Sequence, residues 1–143
     1  MKTSEKAENK FREGYNCAQS VIWSYANKLN LDPDLALRIS NGFGGGMGRK
    51  QEVCGAVSGA IMVLGMMYGR GENEDREKQE KSYAKVREFI DKFEARFKTV
   101  NCKALLDGCE LLTAEGQEMF KNKNLKEKCC SYVAYAAELL SQE

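Results

Sequence analysis

The sequence contains no histidine, and this absence excludes several common catalytic and metal-binding arrangements. Without an imidazole there can be no Ser-His or Cys-His couple, and neither zinc nor haem can be held by a histidine ligand. Any site for a soft metal must therefore be built from thiolates, with carboxylates or methionines in support.

Proline is almost as scarce, since Pro33 is the only one in 143 residues, and runs of β-branched residues are few. Both features favour helices. The chain also has no large excess of positive charge, because it contains 22 lysines and arginines and 21 aspartates and glutamates. This balance gives no indication of a nucleic-acid partner. The length suits one core, so we predict a single all-α domain over residues 1–143.

The chain has no apolar run long enough for a convincing membrane span. The uncharged stretch from Val53 to Tyr68 is shorter than the roughly 20 residues that a bilayer requires, and glycines interrupt it. We therefore predict that it forms the buried, Gly/Ala-rich central helix of a soluble bundle. The first residues are polar and charged, unlike a signal peptide, which predicts a cytoplasmic protein with reduced thiols.

Periodic apolar positions predict about five main helices around that stretch. One face of the central helix carries only small residues, which would let a neighbouring helix approach closely. The same face offers an alternative function for the chain as a helical homo-oligomer. The predicted helices span about Ser4–Leu29, a short segment from Pro33 to Ile39, Gln51–Tyr68, Glu72–Lys98 and Lys126–Leu140, with a brief further helix over Thr113–Phe120.

Six cysteines are the feature that the sequence has in excess. Cys17, Cys54, Cys102 and Cys129 lie on four separate segments, each at or near an apolar face, so a folded bundle could bring them together. No C-x-x-C pair is present, which excludes the thioredoxin and zinc-ribbon signatures. The four thiols are candidates for a dithiol/disulfide couple or for the ligands of a soft metal or iron–sulfur centre. They could equally be packed as small hydrophobic side chains.

Cys54 is the predicted reactive thiolate of this set. It falls in the first turn of its predicted helix, where free N–H groups and the helix dipole favour an anion and lower the pKa of a thiol. Arg49 and Lys50 lie just upstream and would add positive potential. Cys17 is the first candidate for its partner. Because Cys129 and Cys130 are neighbours, the sequence leaves open which of them is functional. Cys109 and Cys130 are the reserve candidates should one of the four thiols not take part.

A glycine cluster, Gly42 to Gly48, precedes the central helix and supports a second hypothesis. Consecutive glycine N–H groups that lead into a helix can hold a phosphate or carboxylate. The cluster matches neither the P-loop nor the G-x-G-x-x-G pattern. A close crossing of two backbones would explain the glycines equally well. The alternative function is thus a non-enzymatic module that binds a small anion or cofactor, with the candidate binding residues Gly44, Gly45, Gly46, Gly48 and Arg49.

The placement of the cysteines resembles that in the C-GCAxxG-C-C family of putative redox-active proteins. The resemblance covers about Phe11 to Leu140 and rests on the segments around the four cysteines, with Cys54-Gly55-Ala56-Val57-Ser58-Gly59 as the central motif. It implies redox or metal-linked thiol chemistry for Cys17, Cys54, Cys102 and Cys129, and it names no substrate or redox partner. The family is similar in places to split-Soret cytochromes c, but no haem role carries over, because the chain has neither C-x-x-C-H nor histidine.

Overall fold

The computed structural model describes residues 1–143 and consists of eight α-helices without strands, so the all-α prediction is confirmed. Most of the buried side chains form one core, and a smaller second core contains Cys102, Cys109 and Cys129. None of the helices combines the length and the hydropathy needed to cross a bilayer. The helices are α1 (Thr3–Arg12), α2 (Cys17–Ala26), α3 (Pro33–Ser40), α4 (Gly55–Tyr68), α5 (Arg76–Phe97), α6 (Cys102–Leu105), α7 (Ala114–Asn122) and α8 (Lys126–Leu140).

The first predicted helix is wrong in its extent, because the chain breaks it into α1 and α2. Gly14 has a φ of +112°, which a side chain would strongly disfavour, and no atom lies where its Cβ would be. Asn16 then starts α2 with a capping box, in which its side chain accepts from the N–H of Gln19 while the Gln19 side chain accepts from the N–H of Asn16. Cys17 is therefore the first residue of a helix, not a mid-helix residue.

The small-residue face of α4 packs against α2 within the chain. A Cβ at Gly59 would lie 2.6 Å from the carbonyl oxygen of Ala18, so only glycine permits this approach. Gly55, Ala56, Gly59 and Ala60 are all buried there. Because this face is already covered, its burial counts against an oligomer that forms through it.

An aromatic group joins α5 to α8 on the side of the core that faces the cysteines. The rings of Phe97 and Tyr132 meet edge-to-face with their centroids 4.8 Å apart, and Phe97 meets Tyr135 in the same way at 5.4 Å. The Tyr132 hydroxyl donates to the carbonyl of Leu105 at 2.6 Å. The aromatic contacts hold α8, which carries Cys129, against α5, and the Tyr132 hydrogen bond holds it against α6.

Candidate functional site: a cavity lined by four thiols

A cavity of about 340 Å³ is lined by Cys17, Cys54, Cys102 and Cys129. Each of these residues lies at the amino-terminal end of a different helix. Cys17 and Cys102 are the first residues of α2 and α6, Cys54 immediately precedes α4, and Cys129 is in the first turn of α8. The four thiols that the sequence singled out on separate segments are thus brought to one place.

A short antiparallel contact sets Cys54 beside Cys102. Val53 and Asn101 form an isolated β-bridge. The N–H of Cys54 donates to the carbonyl of Val100 at 2.7 Å, and the N–H of Cys102 donates to the carbonyl of Glu52 at 2.6 Å. The two loops that enter α4 and α6 therefore run side by side and present their cysteines to the same cavity.

The Cys17 and Cys129 thiols line the same cavity and influence each other's pKa. Hydrogen bonding with Cys17 lowers the pKa of Cys129, although burial acts in the opposite direction. The same hydrogen bond, together with burial, raises the pKa of Cys17. The influence of Cys129 on the pKa of Cys17 is larger than that of Cys54, and the pairing of Cys17 with Cys54 stays a prediction. Cys129 is the member of the pair that holds a thiolate more readily.

The expectation that Cys54 would be a low-pKa thiolate is wrong. Its side chain is 4% exposed, and burial raises the pKa of Cys54 to about 12, although the nearby N–H groups of Ala56 and Val57 act to lower it. Burial likewise raises the pKa of Cys102 to about 11. The N–H groups at the helix start act to lower the pKa of Cys54, but desolvation is the largest effect at both Cys54 and Cys102 and raises the pKa.

Burial of the Cys54 thiol predicts a loss of stability at alkaline pH. A folded-state pKa of about 12 lies above the ordinary value of 9.0, so this contribution to stability is complete below pH 9 and is lost as the pH rises towards 12. Under reducing conditions, the free energy of unfolding should fall more steeply for the wild type than for Cys54→Ala, by up to about 1.4 kcal/mol per pH unit.

Chemical denaturation at intervals between pH 7 and pH 11.5 measures this difference. Below pH 8 the wild-type and Cys54→Ala curves should run parallel, because the thiol is protonated in both the folded and the unfolded state. Parallel curves up to pH 11.5 would show that Cys54 is not desolvated in the folded protein.

The two remaining cysteines lie outside the cavity. Cys109 is 1% exposed, and its thiol donates to the carbonyl of Gly116 at 3.0 Å. Cys130 is 3% exposed, and burial raises the pKa of its thiol. The vicinal pair is thus divided by the geometry of α8, since Cys129 lines the cavity and Cys130 does not.

The glycine cluster contributes to the wall of the cavity and is folded tightly on itself. Gly45 and Gly46 have left-handed dihedral angles, with φ of 64° and 65°. The N–H groups of Gly44, Gly48 and Arg49 donate to the carbonyls of Asn41, Gly42 and Gly44 within the loop. These N–H groups are therefore already paired and would reach an anion only if the loop rearranged.

The candidate anion-binding residues are divided between two depressions. Gly45, Gly46 and Arg49 line the thiol cavity, whereas Gly44 and Gly48 line an adjacent depression, which Gly45 and Arg49 also border. Close packing accounts for two of the glycines, because a Cβ at Gly46 would lie 2.7 Å from the Cβ of Cys102, and one at Gly44 would overlap the side chain of Asn16.

Sequence reasoning missed several residues that build the site. Gln51 is buried with a φ of +59°, donates to the carbonyl of Cys109 at 2.6 Å and accepts from the N–H of Leu111 at 2.8 Å. No sequence pattern predicts these two hydrogen bonds of the Gln51 side chain. Lys126 also lines the cavity and has no distinguishing motif. Asn16 could have been found, because Asn and Gln three residues apart are the signature of a capping box.

The donor arrangement does not fit a bound metal. No group of three or more Cys, Asp or Glu side chains is placed so that it could hold a metal ion. Structural zinc takes four ligands, and iron–sulfur clusters are held by four thiolates. The raised pKa values of Cys54 and Cys102 also disfavour the deprotonated form that a ligand requires. We therefore derive no chemical step through a metal.

The chain was compared with models of known protein families. The model of a family described as "Putative redox-active protein (C_GCAxxG_C_C)" matches residues 15–143. Neither the search of curated proteins nor the search of solved structures gave a match. The matched range includes all four thiols of the cavity and the glycine cluster.

Proposed function

Since the chain belongs to the C_GCAxxG_C_C family of putative redox-active proteins, we propose that it exchanges thiols with disulfides through Cys129 and Cys17. The observation that carries this proposal is that Cys17 and Cys129 line the same cavity, where Cys17 acts to lower the pKa of Cys129. Exchange needs one thiol that ionises easily and a second thiol close enough to displace the product. The lowered pKa of Cys129 and the position of Cys17 in the same cavity support these two roles.

The reaction proceeds in two displacements. The Cys129 thiolate attacks one sulfur of a substrate disulfide, so that a mixed disulfide forms and the first substrate thiolate leaves and takes up a proton. Cys17 then loses its proton and attacks the Cys129 sulfur, which forms the Cys17–Cys129 disulfide and releases the second substrate thiol. Two protein thiols are oxidised and one substrate disulfide is reduced, and an external dithiol regenerates the protein by the reverse exchange.

Cys54 and Cys102 belong to the wall of the cavity in this scheme. Their raised pKa values keep them protonated at neutral pH, so they attack more slowly than Cys129. In the reducing cytoplasm, where we expect the protein to act, all four thiols would rest in the reduced form. The scheme therefore starts from the dithiol.

Controlled oxidation tests the proposal. Protein purified without oxygen and analysed for metal is treated with one equivalent of 2-hydroxyethyl disulfide, and its free thiols are counted. We expect the count to fall from six to four, with peptide mapping by mass spectrometry locating the bond between Cys17 and Cys129. Dithiothreitol should restore six thiols.

Three results would overturn the proposal. Six thiols that stay inert would favour the alternative in which the cysteines are packed and the chain binds a small anion. A stoichiometric metal that masks the thiols until it is chelated would favour a metal centre. A disulfide between Cys54 and Cys102 would move the chemistry to the other pair.

A further inference from the structure

The charged side chains that line the thiol cavity are all positive. Arg49 and Lys126 are the only charged residues among its lining residues, and no carboxylate lines it. Both side chains are exposed, and neither takes part in an ion pair, although nine ion pairs occur elsewhere in the chain. Two unpaired cations at one opening attract an anion and repel a cation.

The glycine cluster directs one of these cations towards the cavity. Gly45 leaves free the space beside the Arg49 side chain, because a Cβ at Gly45 would lie 2.9 Å from the Cγ of Arg49. The same Cβ would lie 3.9 Å from Leu111, which lines the cavity. The Arg49 side chain therefore passes across the loop at the cavity edge.

The walls of the cavity are mainly apolar. Its volume of about 340 Å³ lies at the lower end of the range for sites that bind small molecules. A ligand that fits it would have a short apolar body and would place its charge at the rim. The apolar lining residues are Phe11, Leu105, Leu106, Leu111, Phe120 and Tyr132.

We propose that the substrate is a small disulfide that carries at least one carboxylate, bound with its anionic group at Arg49 and Lys126 and its sulfur atoms beside Cys17 and Cys129. This assignment rests on the proposed function, because it names the substrate of the same thiol pair. The carboxylate holds the disulfide at the rim, and the apolar walls receive the carbon chain next to the sulfur. After the first displacement, the departing thiolate carries a second negative charge, which the same cations stabilise.

Three small disulfides of similar length test the charge preference. They are 3,3′-dithiodipropionate, which is anionic, 2-hydroxyethyl disulfide, which is neutral, and cystamine, which is cationic. The rate of oxidation of the reduced protein by each is divided by the rate at which the same disulfide oxidises 2-mercaptoethanol, which removes the intrinsic reactivity. We expect the normalised rate of the anionic disulfide to exceed that of the neutral one by about tenfold, with the cationic one slowest.

Two variants connect this preference to the named side chains. Arg49→Gln and Lys126→Gln should each lower the ratio of the anionic rate to the neutral rate by about threefold. Lys50→Gln is the matched control, since Lys50 is an exposed neighbour of Arg49 that does not line the cavity, and it should keep the wild-type ratio. High salt should reduce the wild-type ratio, because it screens exposed charges.

The outcomes separate the substrate assignment from the proposed function. Equal normalised rates for the three disulfides, or a ratio that neither variant changes, would overturn the assignment and leave the exchange activity standing. No reaction with any of the three would overturn the proposed function, and the assignment would fall with it. Faster reaction with a disulfide-containing protein than with any small disulfide would replace the small substrate by a macromolecular one.

Discussion

Replacing Cys129 by serine is expected to slow the exchange with a small anionic disulfide by at least about 100-fold. Serine keeps the shape of the side chain, but its hydroxyl does not ionise near neutral pH and cannot form a disulfide. The remaining cavity thiols are held mostly protonated, since Cys17 has a raised pKa and Cys54 has a pKa of about 12. The rate of release of the substrate thiol, followed by absorbance in a stopped-flow instrument, measures the loss.

Cys130→Ser is the matched control for this substitution. Cys130 adjoins Cys129 on the same helix and is also buried, but it does not line the cavity. The control should keep the wild-type rate within about twofold. An equal loss in both variants would show that serine disturbs α8 and would not identify Cys129 as the nucleophile. A near-normal rate in Cys129→Ser would place the first attack on another thiol.

Cys17→Ser completes the experiment because it separates the two displacements. The serine hydroxyl can still donate a hydrogen bond to the Cys129 sulfur, so the first attack should remain fast. The second attack lacks its thiol, so the protein should stop at a mixed disulfide with one half of the substrate. Intact-mass spectrometry would detect this adduct at Cys129. Release of both substrate thiols without an adduct would show that Cys54 or Cys102 resolves the intermediate.

The choice of Cys129 over Cys54 shows where sequence reasoning stops. The sequence places Cys54 at a helix start after two cations, and this pattern lowers the pKa of a thiol when the site is solvated. Burial depends on how α2 and the 100–102 loop pack over Cys54, which no local pattern gives. The influence of Cys17 on Cys129 also depends on the tertiary structure, because α2 and α8 lie at opposite ends of the sequence.

Local signals predicted much of the fold. Thr113 caps α7 as expected, with its hydroxyl accepting from the N–H of Gly116 at 2.9 Å, and α8 runs over Lys126–Leu140 as the apolar spacing indicated. The first helix was misjudged because an apolar stripe continues across the break at Gly14. Periodicity is insensitive to one residue with positive φ when the flanking helices share a core-facing side. The capping signal at Asn16 was the better guide.

For the candidate site, too, the sequence predicted what depends on local patterns and missed what depends on the tertiary structure. Apolar spacing and position on separate segments selected four of the six cysteines, and the structure lines one cavity with those four. Lys126 was not selected, because an exposed lysine at a helix start resembles any other lysine until the fold places the start of α8 at the cavity. The pairing of the Gly44, Gly48 and Arg49 N–H groups could not be predicted either, because it depends on the dihedral angles of the loop.

The contact between α2 and α4 predicts that replacing glycine by alanine will change the free energy of unfolding in opposite directions at two positions of α4. Gly59→Ala places a methyl group 2.6 Å from the Ala18 carbonyl oxygen and 3.2 Å from the Cβ of Val21. The backbone of α2 must move to accept it, which should lower the free energy of unfolding by at least about 2 kcal/mol. Gly65→Ala meets no atom within 4 Å at an exposed position, so it should raise that energy by about 0.5–1 kcal/mol through helix propensity alone.

Urea denaturation of the two variants under reducing conditions measures the change in the free energy of unfolding and its direction in each. The same pair also tests the site, because the α2 backbone at Ala18 directly follows Cys17. If Gly59→Ala displaces the start of α2, it should weaken the Cys17–Cys129 pair and slow disulfide formation, whereas Gly65→Ala should leave that rate unchanged. Equal stability changes in the two variants would contradict the close contact at Gly59. Lower stability with an unchanged exchange rate would show that the packing of α2 on α4 and the alignment of the two thiols are independent.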